Sequence, residues 1–318
     1  MGFLVVDKPP GITSHDVVSV LRAVFGIKKI GHTGTLDPFA TGVLPMAIGH
    51  ATRLIPFLDE GTKCYEATLS LGAKTDTADC DGEVVETADV PSLDDDKVGR
   101  AMAGLIGERL QRPPMYSAIK VAGKPLYKYA REGKEVAVKA RRIRVDALKL
   151  IAREGHTLRF SVQCSRGTYV RVLGETLAEA LGTVGHLVAL RRTQSGTFGL
   201  PGSVSFPTLA EVVSGRSDWP AVLRPKRGEV RVEWRPRAET LAALQPRLLS
   251  PEQVLAHLPS LDIGPEDQRT LRIKGVVDCS PVDVSDGGLW RVHIGGQLRG
   301  VMRCDGSISK VARMLPDT

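Results

Sequence analysis

Residues 31–44 hold the densest set of local structural signals in the chain, and they read GHTGTLDPFATGVL. Three glycines in this stretch let the backbone take positive φ or approach a ligand closely. Asp37 precedes Pro38, which biases Asp37 toward extended geometry and fixes its direction. The apolar run 42–48 follows and predicts a strand that anchors the loop. Pro45 within that run indicates a sheet edge or a bulge.

Local chemistry leaves two interpretations of this segment open. An Asp before a Pro commonly starts a turn or caps a helix, so Asp37 can be purely structural. His32 on its own is more typical of a structural histidine than of a catalytic one. The alternative is a polar loop, rich in Gly and Thr, that presents the Asp37 carboxylate to a ligand.

The surrounding sequence predicts an α+β fold. Residues 65–71 alternate between apolar and polar side chains, which is the period of a half-buried strand. Further strands are predicted at 3–6, 143–151 and 158–164. Helices are predicted from Ser14 as N-cap to residue 25, from Ser92 as N-cap to residue 106, and over 168–181, closed by Gly182. Strict β-α-β alternation is absent, which favours a mixed or antiparallel sheet.

Length and turn signals predict two domains. At about 150 residues per domain, 318 residues allow roughly two. We assign 1–213 to a catalytic domain, 214–250 to a linker or insertion with several prolines, and 251–318 to a small β-rich domain. Strands are predicted there at 271–276, 289–294 and 297–303, with Gly pairs at 287–288 and 295–296 as turns.

Composition narrows the functional class. The chain is 42% hydrophobic and 25% charged, with a formal net charge of +7, which is ordinary for a soluble globular protein. No apolar run approaches a membrane span, and no signal-peptide pattern opens the chain. The five cysteines show no C-x-x-C spacing, and phosphate-loop, dinucleotide-binding and zinc-protease motifs are absent. We expect a cytoplasmic protein without a metal or other cofactor.

Charge is concentrated in two stretches. Residues 109–144 contain eleven Lys and Arg against two Glu, whereas 79–96 contain eight acidic residues and no basic ones. Tyrosines at 116, 127 and 129 interleave the basic stretch, and cations beside stacking rings are typical of RNA binding. A solvated surface helix is the alternative. Because Gly123, Pro125 and Gly133 interrupt the stretch, we favour a loop-rich projecting element.

Residues 31–44 resemble the nucleophile motif of the TruB family, the tRNA pseudouridine-55 synthases. Five other segments resemble further motifs of that family in the expected order: VDKPPGITS (6–14), Tyr65 followed by LGAKTDTADCDG (71–82), MYSAIK (115–120), CSRGTYVR (164–171) and LRR (190–192). The resemblance runs from residue 3 to about 200 and more weakly from about 250 to the end. It implies a pseudouridine synthase catalytic domain with a PUA-like C-terminal domain.

The resemblance also implies three catalytic residues. Asp37 would be the nucleophile, and the sequence leaves open attack at C1′, attack at C6 or a glycal path. Arg171 would pair with Asp37 and aim its carboxylate; such a cation typically lowers a carboxyl pKa by about 1–3 units. Tyr65 would lie beside the target uracil and serve a proton transfer. For Tyr65 and Arg171, a core strand tyrosine and a surface helix arginine are the alternatives.

Substrate contacts are implied at further positions. Tyr169 and Leu190 would line the pocket together with Tyr65, and His32 would fill the space left by the flipped base. Lys8 and Lys120 are predicted to bind the tRNA substrate, and the basic block 109–144 would grip the T-arm and elbow. We expect a monomer with no membrane contact and no obligatory protein partner.

Two alternative functions and the role of one segment remain open at the sequence level. An RNA-binding protein that folds tRNA, with catalysis secondary, would use the same basic surfaces. A synthase working through guide-RNA partners is the second, although the insertion at 115–140 and the short C-terminal domain argue against it. Residues 214–247 depart from the family pattern and are either a spacer or an extra tRNA contact.

Overall fold

The computed structural model describes residues 2–59, 61–224, 232–264, 276–278, 288–305 and 308–315, with side chains left out at 276–278, 305 and 308–311. The strands are β1 (Gly2–Lys8), β2 (Ile30–His32), β3 (Thr41–Ile48), β4 (Thr62–Leu71), β5 (Ala73–Thr75), β6 (Val84–Thr87), β7 (Gly107–Gln111), β8 (Lys120–Val121), β9 (Lys124–Pro125), β10 (Arg141–Glu154), β11 (Thr157–Ser165), β12 (Gly185–Ser195), β13 (Phe198–Gly199), β14 (Val204–Ser205), β15 (Ser260–Ile263), β16 (Val276–Asp278), β17 (Leu289–Ile294), β18 (Gln297–Asp305) and β19 (Ile308–Met314).

Eight α-helices are described: α1 (Ser14–Phe25), α2 (Asp95–Ala103), α3 (Leu126–Ala130), α4 (Val170–Ala180), α5 (Phe206–Ser214), α6 (Trp219–Leu223), α7 (Arg237–Leu244) and α8 (Pro251–Val254). Two 3-10 helices span Gly49–Phe57 and Gln245–Arg247. Among the described residues, no helix is long and apolar enough to cross a membrane.

One mixed sheet forms the body of the larger domain. Its strand order is β14-β1-β3-β12-β4-β11-β10-β7, with β2 added to β3 and β13 to β12. The pairs β1/β14 and β3/β12 are parallel, and the remaining pairs along this order are antiparallel. The predicted α+β fold with a mixed sheet is therefore confirmed. A separate five-stranded sheet, β15-β17-β18-β19-β16, forms the C-terminal domain.

Strand β12 brings distant parts of the chain together at the centre of the sheet. Arg192 is opposite Gly42 of β3 on one side and opposite Tyr65 of β4 on the other. Gly42 has φ +100°, and a Cβ there would lie 2.2 Å from the Arg192 carbonyl oxygen. Only glycine fits this close approach, so the end of the loop at 31–41 is fixed beside β12.

The period-two pattern of β4 predicts which side chains reach the core. Lys63, Tyr65, Ala67, Leu69 and Leu71 are buried and the residues between them are half-buried, as the alternation indicates. This face packs under α1 and α4 in the main hydrophobic core. The strand prediction at 65–71 is thus confirmed, and the core side of β4 is the side that carries Tyr65.

The predicted helix starts are wrong by one or two residues. The N-cap of α1 is Thr13, whose hydroxyl accepts from the Asp16 amide and completes a capping box. Ser14 instead accepts from the Leu36 amide at 2.9 Å and so binds the loop that follows β2. Helix α2 is capped by Asp94, not Ser92. In each observed cap the side chain accepts from the amide three residues later, that of Asp16 for Thr13 and that of Lys97 for Asp94.

The predicted linker contains packed helices. Residues of α5, α6 and α7, including Val213, Leu223 and Leu244, are buried in the main core. Trp219 stacks edge-on against Phe206 at 5.0 Å between centroids. Residues 225–231 lie outside the described part of the chain. The described portions of 214–247 therefore pack into the core of the larger domain, while the assigned domain limits stay predictions.

The C-terminal sheet matches the predictions in part. Strands β17 and β18 coincide with 289–294 and 297–303, and Gly295 and Gly296 form the turn with φ of +59° and +73°. The predicted strand at 271–276 and the turn at 287–288 fall mostly outside the described residues. The C-terminal sheet packs against the larger domain through a second hydrophobic core, which includes Phe3, Ala47 and Val301.

The basic block folds as a small projection. Between β7 and β10 the chain forms the hairpin β8/β9 and the one-turn helix α3. Residues 131–135 are exposed. The prediction of a loop-rich element in place of a long surface helix is confirmed for this stretch, and the break points are Gly123, Pro125 and Gly133, as the sequence indicated.

Candidate active site

The loop after β2 and the helix α4 meet at an ion pair. Nε of Arg171 lies 2.9 Å from Oδ2 of Asp37, and Nη2 donates to Oδ1 at 3.2 Å. The Arg171 side chain is 3% exposed and that of Asp37 31%. A two-point contact of this kind fixes the plane of a carboxylate as well as its position. Asp37 therefore presents one aimed, partly open carboxylate edge.

Arg171 is itself held from three other directions. Its Nη1 lies 3.2 Å from Oδ2 of Asp79 and donates to the Thr77 carbonyl at 2.5 Å. Its Nη2 also donates to the Tyr116 carbonyl at 2.8 Å. Because Asp79 is 6% exposed, the guanidinium lies between one buried carboxylate and the partly exposed carboxylate of Asp37. This network joins the turn at 77–81, the segment that carries Tyr116 and α4 to the loop that carries Asp37.

Asp79 is the site residue that sequence reasoning missed. It was counted only as one of eight acidic residues between 79 and 96. Its Oδ1 accepts from the Thr77 hydroxyl at 2.6 Å and from the Asp81 amide at 3.1 Å, so a tight turn directs its other oxygen inward. The available sequence signal was the position of Asp79 in the motif at 71–82. Its neighbour Ala78 takes φ +61° in the structure.

The electrostatics of Asp37 differ from the prediction. Burial raises the pKa of Asp37 above its ordinary value; the Arg171 guanidinium opposes the rise and the Asp79 carboxylate adds to it. The prediction from Arg171 alone was a lowered pKa. It is wrong because partial burial of the carboxyl, together with the Asp79 carboxylate, disfavours its charged form more than Arg171 favours it. Arg171 offsets part of this penalty and sets the carboxylate orientation.

Tyr65 lies on β4 and is 9% exposed. It is opposite Arg192 in the pairing of β4 with β12. Burial raises the pKa of Tyr65, and Arg192 opposes that rise. The phenol is therefore protonated at neutral pH. Sequence reasoning named Arg192 within a motif and gave it no role.

A cavity of about 530 Å³ connects these groups. Five of the predicted site residues line this one space: Asp37, Tyr65, Tyr169, Arg171 and Leu190. Gln111 holds the Tyr169 backbone on both sides, since its amide donates to the Tyr169 carbonyl at 3.0 Å and its oxygen accepts from the Tyr169 amide at 2.8 Å. The lining is mixed, and beside apolar side chains it contains one lysine and five arginines: Lys63, Arg141, Arg142, Arg166, Arg171 and Arg192.

A second cavity, of about 630 Å³, also borders Asp37. It is lined by His32, Asp79, Tyr127 and Arg131, among others. Burial lowers the pKa of His32, so its ring is neutral at physiological pH. Arg131 stacks over the Tyr127 ring at 5.6 Å. Polar, aromatic and cationic groups thus line the cavity beside Asp37.

Comparison with known proteins decides the family. A family model described as "TruB family pseudouridylate synthase (N terminal domain)" matches residues 22–170. A Geobacter sulfurreducens protein named "tRNA pseudouridine synthase B" is 41% identical over 99% of this chain and 93% of its own length. This chain belongs to the TruB family. An Aromatoleum aromaticum protein of the same name is 40% identical over 96% of the chain and 89% of its own length.

Solved structures show the same fold at lower sequence identity. A chain in "Crystal Structure of a Cbf5-Nop10-Gar1 Complex" aligns with a TM-score of 0.69 at 24% identity, covering 98% of this chain and 84% of that one. A chain in "Structure of H/ACA RNP bound to a substrate RNA containing 2'-deoxyuridine" aligns with a TM-score of 0.63 at 23% identity, covering 99% and 85%. The likeness includes the C-terminal sheet, consistent with the predicted PUA-like module.

Lys8 does not fit its predicted role as a direct substrate contact. It is 0% exposed, and its Nζ donates to the carbonyls of Pro9 at 2.9 Å and Pro38 at 3.0 Å. Burial lowers its pKa to about 8, with Asp37 opposing the change. Lys8 therefore supports the loop that carries Asp37 from the protein interior, where tRNA cannot reach it. The motif at 6–14 gives the position of Lys8 in the sequence but does not indicate that its side chain is buried.

Lys120 stands apart from the cavity walls. It is exposed, at the start of the β8/β9 hairpin, on a projection whose neighbouring residues Ser117, Ala118 and Ile119 line the first cavity. Its predicted contact with tRNA stays a prediction. Within the described residues, no three His, Cys, Asp or Glu side chains form a metal-ligand set, and the expectation of cofactor independence stays a prediction as well.

Proposed function

We propose that this chain isomerises uridine to pseudouridine at position 55 in the T-loop of tRNA. The observation that carries the proposal is the Asp37 carboxylate, held by Arg171 at a cavity that Tyr65 also lines. The relatives' shared name, tRNA pseudouridine synthase B, gives the substrate class. The T-loop position comes from the motif resemblance.

The reaction rearranges bonds within one nucleotide. The N1–C1′ bond of uridine breaks, a C5–C1′ bond forms, and the C5 hydrogen is exchanged for a hydrogen on N1. Nothing is oxidised, reduced or transferred to another molecule. The protein must therefore supply a nucleophile or charge stabiliser at the sugar or base, a surface on which the uracil turns, and a route for one proton.

The site has a group for each task. Asp37 supplies the carboxylate, and its contact with Arg171 keeps that carboxylate in one orientation. Tyr169 and Leu190 offer apolar contacts to the uracil face. The phenol of Tyr65 is the proton-carrying group on the opposite wall. Preorganised charge in a partly water-excluded cavity stabilises a transition state more than the same groups do in water.

Access to the cavity requires the uridine to leave its stack. Base flipping costs a few kcal/mol, which contacts elsewhere must offset. The exposed Lys120 and its basic neighbours on the projection supply phosphate contacts, and the C-terminal sheet extends the surface. We propose that the chain acts as a monomer, in the cytoplasm, without a protein partner or guide RNA.

The test is product mapping. Purified protein is incubated with an unmodified tRNA transcript without added metal or nucleotide, and pseudouridine is located by mass spectrometry. Pseudouridine at position 55 alone is expected. A transcript with cytidine at that position is the matched control and should give no product. Product at another position, or a requirement for a second protein or RNA, would contradict the proposal.

Refolding separates this function from the RNA-folding alternative. If tRNA folding were the main activity, the wild-type chain and Asp37→Asn would accelerate refolding of a misfolded transcript equally, and wild-type turnover would be negligible. Turnover by the wild-type chain that is lost in Asp37→Asn, with tRNA affinity retained, supports catalysis as the main activity.

A further inference from the structure

One nitrogen of Arg171 serves two acceptors. Nη2 donates to Oδ1 of Asp37 at 3.2 Å and to the backbone carbonyl of Tyr116 at 2.8 Å. Each Nη of a guanidinium carries two N–H groups, so each acceptor takes one of them. The Arg171 side chain is 3% exposed, which leaves little room for water to replace either acceptor. The position of the Tyr116 carbonyl therefore contributes to the direction in which Arg171 holds the Asp37 carboxylate.

The side chain of Tyr116 is fixed at its other end. Its phenol donates to Oδ2 of Asp76 at 3.0 Å. The other oxygen of Asp76 accepts from the Glu83 amide at 2.9 Å, so this carboxylate is held at two points. A Cβ on Gly82 would collide with Oδ1 of Asp76, and the glycine leaves room for the carboxylate. Asp76 is thus a fixed anchor for the Tyr116 phenol.

The contacts of Arg171, Tyr116 and the loop 76–83 form a closed ring. This loop, which includes the turn at 77–81, contacts Arg171 through the Thr77 carbonyl at 2.5 Å and Oδ2 of Asp79 at 3.2 Å. Arg171 contacts Tyr116, and Tyr116 contacts the loop again through Asp76. Tyr116 lies between β7 and β8, where the basic projection begins. The start of the projection is therefore part of the support of the Asp37–Arg171 ion pair.

We propose that Tyr116 is a positioning residue, through which the orientation of the Asp37 carboxylate depends on how the projection is seated on the loop 76–83. The inference rests on the proposed function, in which that carboxylate is the reactive group. The hydrogen bond from the phenol to Asp76 keeps the Tyr116 backbone in place, and the Tyr116 carbonyl then directs Nη2 of Arg171. Tyr116 acts through Arg171 and does not need to touch the uridine.

Tyr116→Phe tests the proposal, because it removes the phenol hydroxyl and keeps the ring. The rate constant is measured in single turnover at saturating enzyme, beside a tRNA-binding titration. The lost hydrogen bond is exposed, so its expected effect is that of a bond of ordinary net strength. We expect the rate constant to fall by about 2- to 13-fold and the tRNA dissociation constant to stay unchanged.

The pH profile of the rate gives a readout that a role in tRNA contact alone would not move. Burial raises the pKa of Asp37; Arg171 and Lys8 oppose the rise, and Asp79 adds to it. A less well placed Arg171 opposes the rise less. The acid limb of the profile, where Asp37 becomes protonated, should therefore move to higher pH in Tyr116→Phe.

Three comparisons make the result specific. Tyr129→Phe removes a phenol that donates to the Val121 carbonyl at 3.2 Å within the projection, and it should leave the acid limb at its wild-type pH. Tyr116→Phe combined with Asp76→Ala should be no slower than Asp76→Ala alone, because both changes break one hydrogen bond. Glu86→Ala removes an exposed carboxylate of β6 and should keep the wild-type rate.

Additive losses in the double variant would overturn the proposal. A wild-type rate in Tyr116→Phe would do the same, and so would a slower rate with an unchanged acid limb, since the phenol would then serve tRNA contact alone. If Asp76→Ala does not fold, the rate and pH profile of Tyr116→Phe decide the matter. Absence of wild-type turnover would instead overturn the proposed function, and this inference with it.

Discussion

Asp79→Asn probes the network behind Asp37 with almost no change in size. One Asp79 oxygen accepts from the Thr77 hydroxyl and the Asp81 amide, and the other faces Nη1 of Arg171 at 3.2 Å. A carboxylate accepts from all three of these donors, whereas an amide side chain has one accepting oxygen and one donating NH2 group. Whichever way the Asn is turned, its NH2 meets another donor. Arg171 then loses a charged partner or the turn at 77–81 opens.

The size of the effect follows from that one lost contact. A hydrogen bond to a charged group contributes about 1.5–3 kcal/mol. At about 1.36 kcal/mol per tenfold in rate, the single-turnover rate constant should fall by about 10- to 150-fold. The loss falls on catalysis because Arg171 also fixes Asp37. Binding of tRNA is expected to change less than about threefold, because Asp79 is almost fully buried.

The assay is single-turnover pseudouridine formation beside a tRNA-binding titration. Asp89→Asn is the matched control, since Asp89 is an exposed residue of the same acidic stretch, and it should keep the wild-type rate. A folded Asp79→Asn protein with a rate within twofold of wild type would refute the view that Arg171 needs both carboxylates.

Three further predictions concern stability and are checked by thermal unfolding. Gly42→Ala places a Cβ 2.2 Å from the Arg192 carbonyl oxygen at φ +100°, so it should cost at least about 1–3 kcal/mol; an unchanged melting temperature would contradict this. Burial raises the pKa of Asp37, so its ionised form destabilises the fold above the unfolded pKa of about 3.9. Asp37→Asn should therefore melt higher than wild type at pH 7, and the gain should vanish as the pH falls below 4; a lower melting temperature at pH 7 would contradict it. Burial lowers the pKa of Lys8 from 10.5 to about 8, so the unfolded chain binds more protons between these values. The stability of wild type relative to Lys8→Met should rise by up to about 3 kcal/mol from pH 8 to 10.5, and a flat difference would show that Lys8 is not desolvated.

Much of the fold follows from local pattern. The alternation at 65–71 places Tyr65 on the core face of β4, and the Gly and Pro positions in 109–144 predict a projection in place of a helix. Helix N-caps were less predictable, because Thr13 and Ser14 are chemically alike. Which of them caps α1 depends on Leu36, because the Leu36 amide donates a hydrogen bond to the Ser14 hydroxyl.

The supporting residues of the site could not be read from sequence. Arg191 and Arg192 are adjacent and identical, yet one pairs with Asp7 at half exposure and the other is buried. Strand alternation predicts that the two side chains point to opposite faces of β12. Only the pairing of β12 with β3 and β4 determines which of these faces is buried. Asp79 and Lys8 raise the same problem, since burial and partner identity are set by residues far away in the chain.

The measurement that tests the central claim most directly is single-turnover pseudouridine formation by wild type and Asp37→Asn, at saturating enzyme on one unmodified transcript. The tRNA affinity of each protein is measured in parallel. The account predicts product from wild type, no detectable product from Asp37→Asn, and equal affinity within a few fold. Turnover by Asp37→Asn near the wild-type rate would contradict the assignment of Asp37 as the reactive carboxylate.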